Sequence, residues 1–313
     1  MIPLTSSWTN SNLTVRALDN PSSVFGRKQE ALWADPSGKS FYLWGGEAPY
    51  GRGPSEKSEL WQYTVDNAGG NGSWAQATPS NLDAFSLLIR PGGGARATSK
   101  DTGFVLGGYA SAWTDKRVTG QYSTPLPGLV SFNMTSLTWR NHSTTPFTRF
   151  GTQIFGQAEW IPSFGPNGLL TFLGGSTTAT LEPIQNLQSG SDLLSFNNIT
   201  LYDPVDGTWF SQQATGDIPA PRDTFCSAGA QGNNGTYDMY AIRTTACGGF
   251  SLTPYAELSL AASTVPLVKP WTIHTFSACL ALSGSRPSTA PTAHDVSTPA
   301  IISAKARLSV SEE

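Results

Sequence analysis

Short apolar runs closed by two glycines recur along this chain of 313 residues. They are Phe41-Tyr42-Leu43-Trp44-Gly45-Gly46, Phe104-Val105-Leu106-Gly107-Gly108 and Thr171-Phe172-Leu173-Gly174-Gly175. The pairs begin at 45, 107 and 174, in steps of 62 and 67 residues. A tryptophan follows each, at 74, 139 and 209, in steps of 65 and 70. Ahead of each tryptophan an apolar run ends on an aromatic: Tyr63, Phe132 and Tyr202. Ahead of each glycine pair, Pro36-Ser37-Gly38, Asp101-Thr102-Gly103 and Pro166-Asn167-Gly168 separate two short apolar runs. Glycine there supplies the positive φ of a tight hairpin.

Each unit therefore reads as four short strands without helical periodicity. Such a unit, repeated at this interval, predicts an all-β propeller of four-stranded antiparallel blades. The glycine pairs are expected on second strands near the central axis, where blades crowd and a side chain has no room. The tryptophans are expected to wedge between adjacent sheets. An ordinary β-sandwich gives no reason for four landmarks to stay in phase through three copies. The blades are placed at about 27–80, 90–145, 149–215 and 219–240.

The phasing weakens at both ends. Trp8 stands 37 residues before Gly45, close to the other tryptophan-to-glycine steps of 33 and 35. Residues 1–26 thus read as the last strand of an incomplete blade, with a linker. In the fourth unit a glycine pair is expected near 241, where Ala241-Ile242 stand, and Gly248-Gly249 come late. Residues 241–283 read as a degenerate or misjoined blade. Residues 284–313, rich in Ser, Thr, Pro and Ala, read as a disordered tail. So few complete repeats predict a propeller that is incomplete or irregularly closed, since rings take about four to eight blades.

Composition narrows the chemistry. Charged residues are 13% of the chain and the net charge is −3, which offers no footprint for nucleic acid or an anionic membrane. No run of 18 apolar residues exists to insert in a membrane, and 1–10 lack the apolar core of a signal peptide. Cys226, Cys247 and Cys279 have no metal-site spacing. They are compatible with one disulfide or with isolated thiols. Six Asn-x-Ser/Thr sites stand at Asn12, Asn71, Asn133, Asn141, Asn198 and Asn234. Those are glycan acceptors only in the secretory pathway.

The Gly-Gly and tryptophan landmarks resemble kelch repeats over roughly residues 8 to 240. Tyr202-Asp203 with Trp209 matches the kelch aromatic-Asp-Trp spacing; Tyr63 and Phe132 match without the Asp. The segments 33–42, 86–91, 127–130 and 214–219 are similar to filamentous-fungal kelch-repeat surface proteins. That resemblance implies an extracellular propeller with a signal peptide and one C-terminal span, and both ends of this chain depart from it. It also implies a non-catalytic scaffold for a protein or glycan partner in the secretory pathway or at the cell surface. A cytoplasmic location stays open, as does a fragment with no function of its own.

Binding is expected on the long loops after the glycine pairs, 47–59, 109–128 and 176–195, because variable loops on a rigid frame commonly carry it. The candidates are Tyr50, Arg52, Trp113, Arg117 and Tyr122. The enzymatic alternative that a kelch propeller raises is a copper-radical oxidase of the galactose-oxidase kind. It needs two histidines and a tyrosine-linked cysteine, and only His142, His274 and His294 are present. No cofactor, metal or catalytic residue is expected. Arg27, Arg90 or Arg96, Arg149 and Arg222 precede first strands and are expected to brace turns by donating to carbonyls.

Overall fold

The computed structural model describes residues 24, 26–49, 53–66, 72–144, 147–178, 180–185, 192–232, 235–243, 255–261 and 271–276. The strand expected at Trp8 and the 284–313 tail lie outside them, as do Cys247, Cys279 and Gly248-Gly249.

Blade one comprises β1 (Ala31–Ala34), β2 (Ser40–Trp44), β3 (Leu60–Val65) and β4 (Gly72–Ala77), paired antiparallel in that order. A short helix α1 (Leu82–Leu87) leads to blade two: β5 (Ala95–Thr98), β6 (Thr102–Leu106), β9 (Leu129–Asn133) and β10 (Thr138–His142). Its long loop carries a two-stranded ribbon, β7 (Tyr109–Ala110) with β8 (Thr124–Pro125). Blade three is β11 (Gln157–Ile161), β12 (Leu169–Leu173), β13 (Asn198–Asp203) and β14 (Thr208–Gly216). The architecture is a kelch-type arrangement of four-stranded antiparallel blades.

A fourth unit follows: β15 (Phe225–Gln231), β16 (Thr236–Arg243), β17 (Tyr255–Ala261) and β18 (Trp271–Phe276), also antiparallel in order. The boundary expected at 240 falls inside β16. Register also moves the expected glycine step. Leu173 lies opposite Gln157, and its counterpart Ile242 lies opposite Cys226. Arg243 therefore stands where Gly174 stands in blade three. The last strand is unusual as well, since β18 pairs in parallel with the end of β14, Ala214 opposite Trp271. Blades three and four thus share an eight-stranded sheet. Among the described residues no strand pairing closes the set into a ring.

One expectation needs correction. The innermost strands are the first of each blade: β1 lies against β5, β5 against β11 and β11 against β15. The strands that end in Gly-Gly lie one place further out. The glycines are needed for a different close approach, at the seam with the following blade. All six have positive φ, from 52° at Gly174 to 89° at Gly108. The second of each pair donates its N–H to a carbonyl of the next blade at 2.8 Å: Gly46 to Pro91, Gly108 to Gln153, Gly175 to Arg222. A β-carbon on the first of each pair would stand 2.6–2.8 Å from that same residue's backbone.

A second staircase runs beside it. Gly93 N–H donates to Gln29, Phe155 N–H to Gly93, and Thr224 N–H to Phe155, at 3.3, 2.7 and 2.9 Å. These four residues are equivalent and all left-handed, with φ between 51° and 66°. Only Gly93 reaches that conformation without steric cost. Two successive hydrogen bonds per seam hold Gln29, Phe155 and Thr224 there.

Side chains fill the seams. Trp139 is buried between blades one and two, with ring centroids 4.5 Å from Phe132, 4.9 Å from Trp44 and Phe85, and 5.9 Å from Trp33. Gly103 makes room for the Trp33 indole, which a β-carbon would meet at 2.4 Å. Trp209, half-buried, packs on Phe147, Phe172 and Tyr202 at the next seam. The outer edge of β10 is covered by the blade linker. Asn81 Nδ2 donates to Trp139 O at 2.8 Å, and Trp139 N–H to Asn81 Oδ1 at 2.9 Å. That amide supplies the pairing an edge strand lacks.

The seam between blades three and four holds a half-buried carboxylate. Glu159 accepts from the Ser227 hydroxyl at 2.6 Å, and burial pushes its pKa above the ordinary 4.5. The folded protein binds that proton more tightly than the unfolded chain, so stability is fullest below pH 4.5 and falls as pH rises through the folded value. Glu159→Gln should therefore melt higher than the parent at pH 7. The advantage should shrink as pH falls towards 4.5, and equal melting curves at pH 7 would contradict it.

Candidate functional site: the loop face

Each second strand ends at its glycine pair, so the loops that follow leave from one end of the blades. They are laced together. Ala48 N–H donates to Trp113 O at 2.8 Å, and Lys116 pairs with Glu56, both joining the first loop to the second. Ser123 and Ile184 exchange backbone hydrogen bonds at 3.1 and 2.8 Å, joining the second loop to the third.

Beneath the seam of the first two loops lies a buried ion cluster. Arg90 is 1% exposed. Its guanidinium donates to Ser55 O, Ser55 Oγ and Lys57 O at 2.8, 2.6 and 3.1 Å. Its Nε lies 3.5 Å from Asp115 Oδ2, and its backbone N–H donates to the same oxygen at 3.1 Å. Arg117 completes the cluster, with Nε 2.9 Å from Asp115 Oδ1 and Nη2 2.7 Å from Oδ2. It also donates to the carbonyls of Ser86 and Leu88 at the C-terminal end of α1. Burial alone would push the Asp115 carboxyl up. The hydrogen bonds from Arg117 and the N–H and charge of Arg90 outweigh it and hold the carboxyl at about 2.

Towards the blade-one seam, the Tyr109 hydroxyl lies 2.8 Å from Gln29 Oε1 and against the Glu47 carboxylate, which also pairs with Lys28 at 3.1 Å. Burial, then the Glu47 carboxylate, pushes the Tyr109 pKa well above 10. It stays a protonated donor at physiological pH.

The structure separates the candidates that the sequence grouped. Trp113 and Tyr122 are exposed on the second loop, at 40% and 38%. Arg117 is in the same loop and bonds Asp115 and two carbonyls. Tyr50 and Arg52 lie outside the described residues. Among the arginines ahead of first strands, Arg27, Arg90 and Arg222 donate to carbonyls, of Gly45, of Ser55 and Lys57, and of Ala220. Arg149 instead lies 5.0 Å over the Phe150 ring.

Asn141 and Asn198 are exposed. Asn133 is committed to the turn after β9: its Nδ2 donates to Asp101 at 2.9 Å, and its Oδ1 accepts from Thr135 and Ser136. Asn12, Asn71 and Asn234 lie outside the described residues. His142 bonds the Ser131 hydroxyl through Nε2 at 2.8 Å and faces Tyr202 through Nδ1 at 3.4 Å. Burial and the Arg140 charge lower its pKa. Among the described residues no three His, Cys, Asp or Glu side chains are grouped to hold a metal ion, and no helix is long and apolar enough to cross a membrane.

Comparison with known proteins supports the propeller class. No protein-family model matches the chain. Over 264 residues it is 22% identical to a kelch repeat-containing protein of Arthroderma benhamiae. The match covers 72% of this chain and 35% of that protein, so the chain spans about a third of its relative's length. Fold and similarity together describe a kelch-like propeller scaffold.

Proposed function

We propose that this chain is a non-catalytic propeller scaffold that binds a protein or glycan partner through its laced loop face, in the secretory pathway or at the cell surface. The observation that carries the reading is the lacing itself. Backbone bonds tie the three loops to one another, the Arg90–Asp115–Arg117 cluster ties the first two, and Trp113 and Tyr122 are exposed on the second. A surface held in place before binding loses little conformational freedom on binding, and exposed aromatic anchors commonly dominate such contacts. The exposed acceptors Asn141 and Asn198, with the similarity to a fungal repeat protein, support the location.

The test compares the parent with the double variant Trp113→Ala/Tyr122→Ala and with Val205→Ala, which alters an exposed residue in the β13–β14 turn. Binding of labelled protein to arrays of immobilised proteins and polysaccharides is measured alongside thermal melting. The double variant should lose at least about tenfold in affinity at unchanged melting temperature, since aromatic hot spots contribute about 2 kcal/mol or more. Equal loss in Val205→Ala, or none in the double variant, would remove the loop face as the site.

A further inference from the structure

Three of the six Asn-x-Ser/Thr sites, Asn133, Asn141 and Asn198, fall on described residues, and the fold treats them differently. Asn133 is built into the turn between β9 and β10. Its Oδ1 accepts from Thr135 N–H, Ser136 N–H and Ser136 Oγ at 3.1, 2.8 and 3.0 Å. Its Nδ2 donates to Asp101 Oδ2 at 2.9 Å and faces Thr102 Oγ1 at 3.4 Å. Blade three shows that this role belongs to the turn. Asp203 stands at the same register, opposite Thr208 as Asn133 is opposite Thr138. Its Oδ1 accepts from Val205 and Asp206 N–H at 2.8 and 3.1 Å, and Asn167 Nδ2 lies 3.2 Å from its other oxygen. A carboxylate, which cannot carry an N-linked sugar, does in that turn what Asn133 does in this one.

Asn141 and Asn198 are the reverse case. Both are exposed, and neither side-chain amide has a hydrogen-bond partner among the described residues. Both stand at the loop-face end of their blades. Asn141, on the outermost strand of blade two, is opposite Val130, one residue inside the point where the 109–128 loop enters β9. A β-carbon on Gly128, at the end of that loop, would meet Asn141 Oδ1 at 2.7 Å. Asn198 is the first residue of β13, which the 176–195 loop enters.

We propose that, in the secretory pathway, Asn141 and Asn198 carry N-linked oligosaccharides and Asn133 does not. This rests on the location proposed above. The donor is an oligosaccharide joined through C1 of an N-acetylhexosamine to a polyprenyl diphosphate. Asn Nδ2 attacks C1, and the C1–O bond to the diphosphate breaks. The polyprenyl diphosphate leaves with the electron pair, and Nδ2 gives up one proton to a base of the transferase. Transfer takes place on the emerging chain, so the fold acts as a filter on modified molecules. A sugar on Asn141 or Asn198 displaces no hydrogen bond. One on Asn133 Nδ2 has to push aside Asp101 or Thr102 and with them the turn. The two sugars, bulky and solvated, border the loop face at two of its three blades.

The experiment secretes the full chain from a eukaryotic host behind a cleavable leader, and also purifies it from its own source. Enzymatic release of glycans in heavy-oxygen water, followed by peptide mapping, marks each modified Asn as a labelled Asp. The secreted protein should carry label at Asn141 and Asn198 and none at Asn133. Asn141→Gln and Asn198→Gln should each remove one glycan and leave the melting temperature of the deglycosylated protein unchanged. Thr135→Ala abolishes the third site with Asn133 in place, and should leave the glycan mass unchanged. Asn133→Ala should lower the melting temperature by at least about 2 °C, because the turn loses its cap. Label at Asn133, no label at Asn141 or Asn198 in the folded secreted protein, or an Asn133→Ala variant that melts like the parent overturns the proposal. Label at Asn141 and Asn198 in the leader-directed protein, with none in protein from its own source, supports the assignment of the sites and removes the secretory location instead.

Discussion

Gly107→Ala is expected to lower stability by at least about 3 kcal/mol, and Gly38→Ala by only about 1–2 kcal/mol. The two glycines share nearly the same backbone, with φ of 65° and 68°. A β-carbon is therefore strained at both. They differ in what that carbon meets. Beyond Gly38 nothing lies within 4 Å, whereas at Gly107 the backbone N and O of Gln153 lie at 2.6 Å. A peptide group cannot swing aside as a flexible side chain can, so the next blade must move. Moving it breaks the 2.8 Å bond from Gly108 N–H to Gln153 O, together with the neighbouring bond from Phe155 N–H to Gly93 O. Denaturant titration of both variants and of Gly26→Ala, whose added carbon meets nothing, would separate backbone strain from collision. Equal effects at Gly38 and Gly107 would show that the seam does not depend on this approach.

The same geometry explains which parts of the fold were legible in the sequence. A position that must be left-handed and must also touch backbone tolerates glycine alone, so the three pairs stand out. Gln29, Phe155 and Thr224 share the left-handed conformation but leave room for a side chain. Two hydrogen bonds per seam impose it on them, and nothing local announces it. The fourth blade was obscured for a related reason. Its step carries Arg243 where the other blades carry glycine, and its last strand is held by a parallel pairing with β14. Neither leaves the spacing signal that the first three repeats share. The expectation that second strands are innermost had a physical motive, since glycines mark close approach, but the approach lies along the seam and not at the axis.

The loop face was legible only as loops. Trp113 and Tyr122 stand out in sequence because large aromatics are unusual in a stretch of Ser, Thr and Gly. The cluster beneath them is not visible there, because Arg90 meets Ser55 and Asp115 at separations of 35 and 25 residues. The bonds of Arg117 to Asp115 and to the Ser86 and Leu88 carbonyls are hidden for the same reason. Whether a loop charge is spent internally depends on which neighbour the blades bring to it, and the repeat pattern does not encode that.

Removing Asp115 is the change expected to damage the loop face most. Asp115→Ala should cost about 3–5 kcal/mol, because it leaves the Arg90 guanidinium buried without its counter-charge. Arg90 is 1% exposed and its ties to Ser55 and Lys57 anchor the first loop, so the damage should spread to the lacing. Hydrogen exchange at Ala48 N–H, whose bond reaches Trp113 O, would report it. Acid should mimic the substitution in part. The carboxyl is held at about 2 against an ordinary 3.8, so its contribution is complete above pH 3.8 and is lost as pH falls towards 2. That shift corresponds to about 2 kcal/mol. The parent should therefore lose stability across this window more steeply than Asp115→Ala, and the gap between them should narrow at pH 2. Replacing Arg90 and Asp115 together by Met and Leu removes both charges and should recover much of the loss of the single variant. A double variant no more stable than Asp115→Ala would mean that the Arg90 bonds to Ser55 and Lys57, rather than its charge balance with Asp115, hold the two loops together.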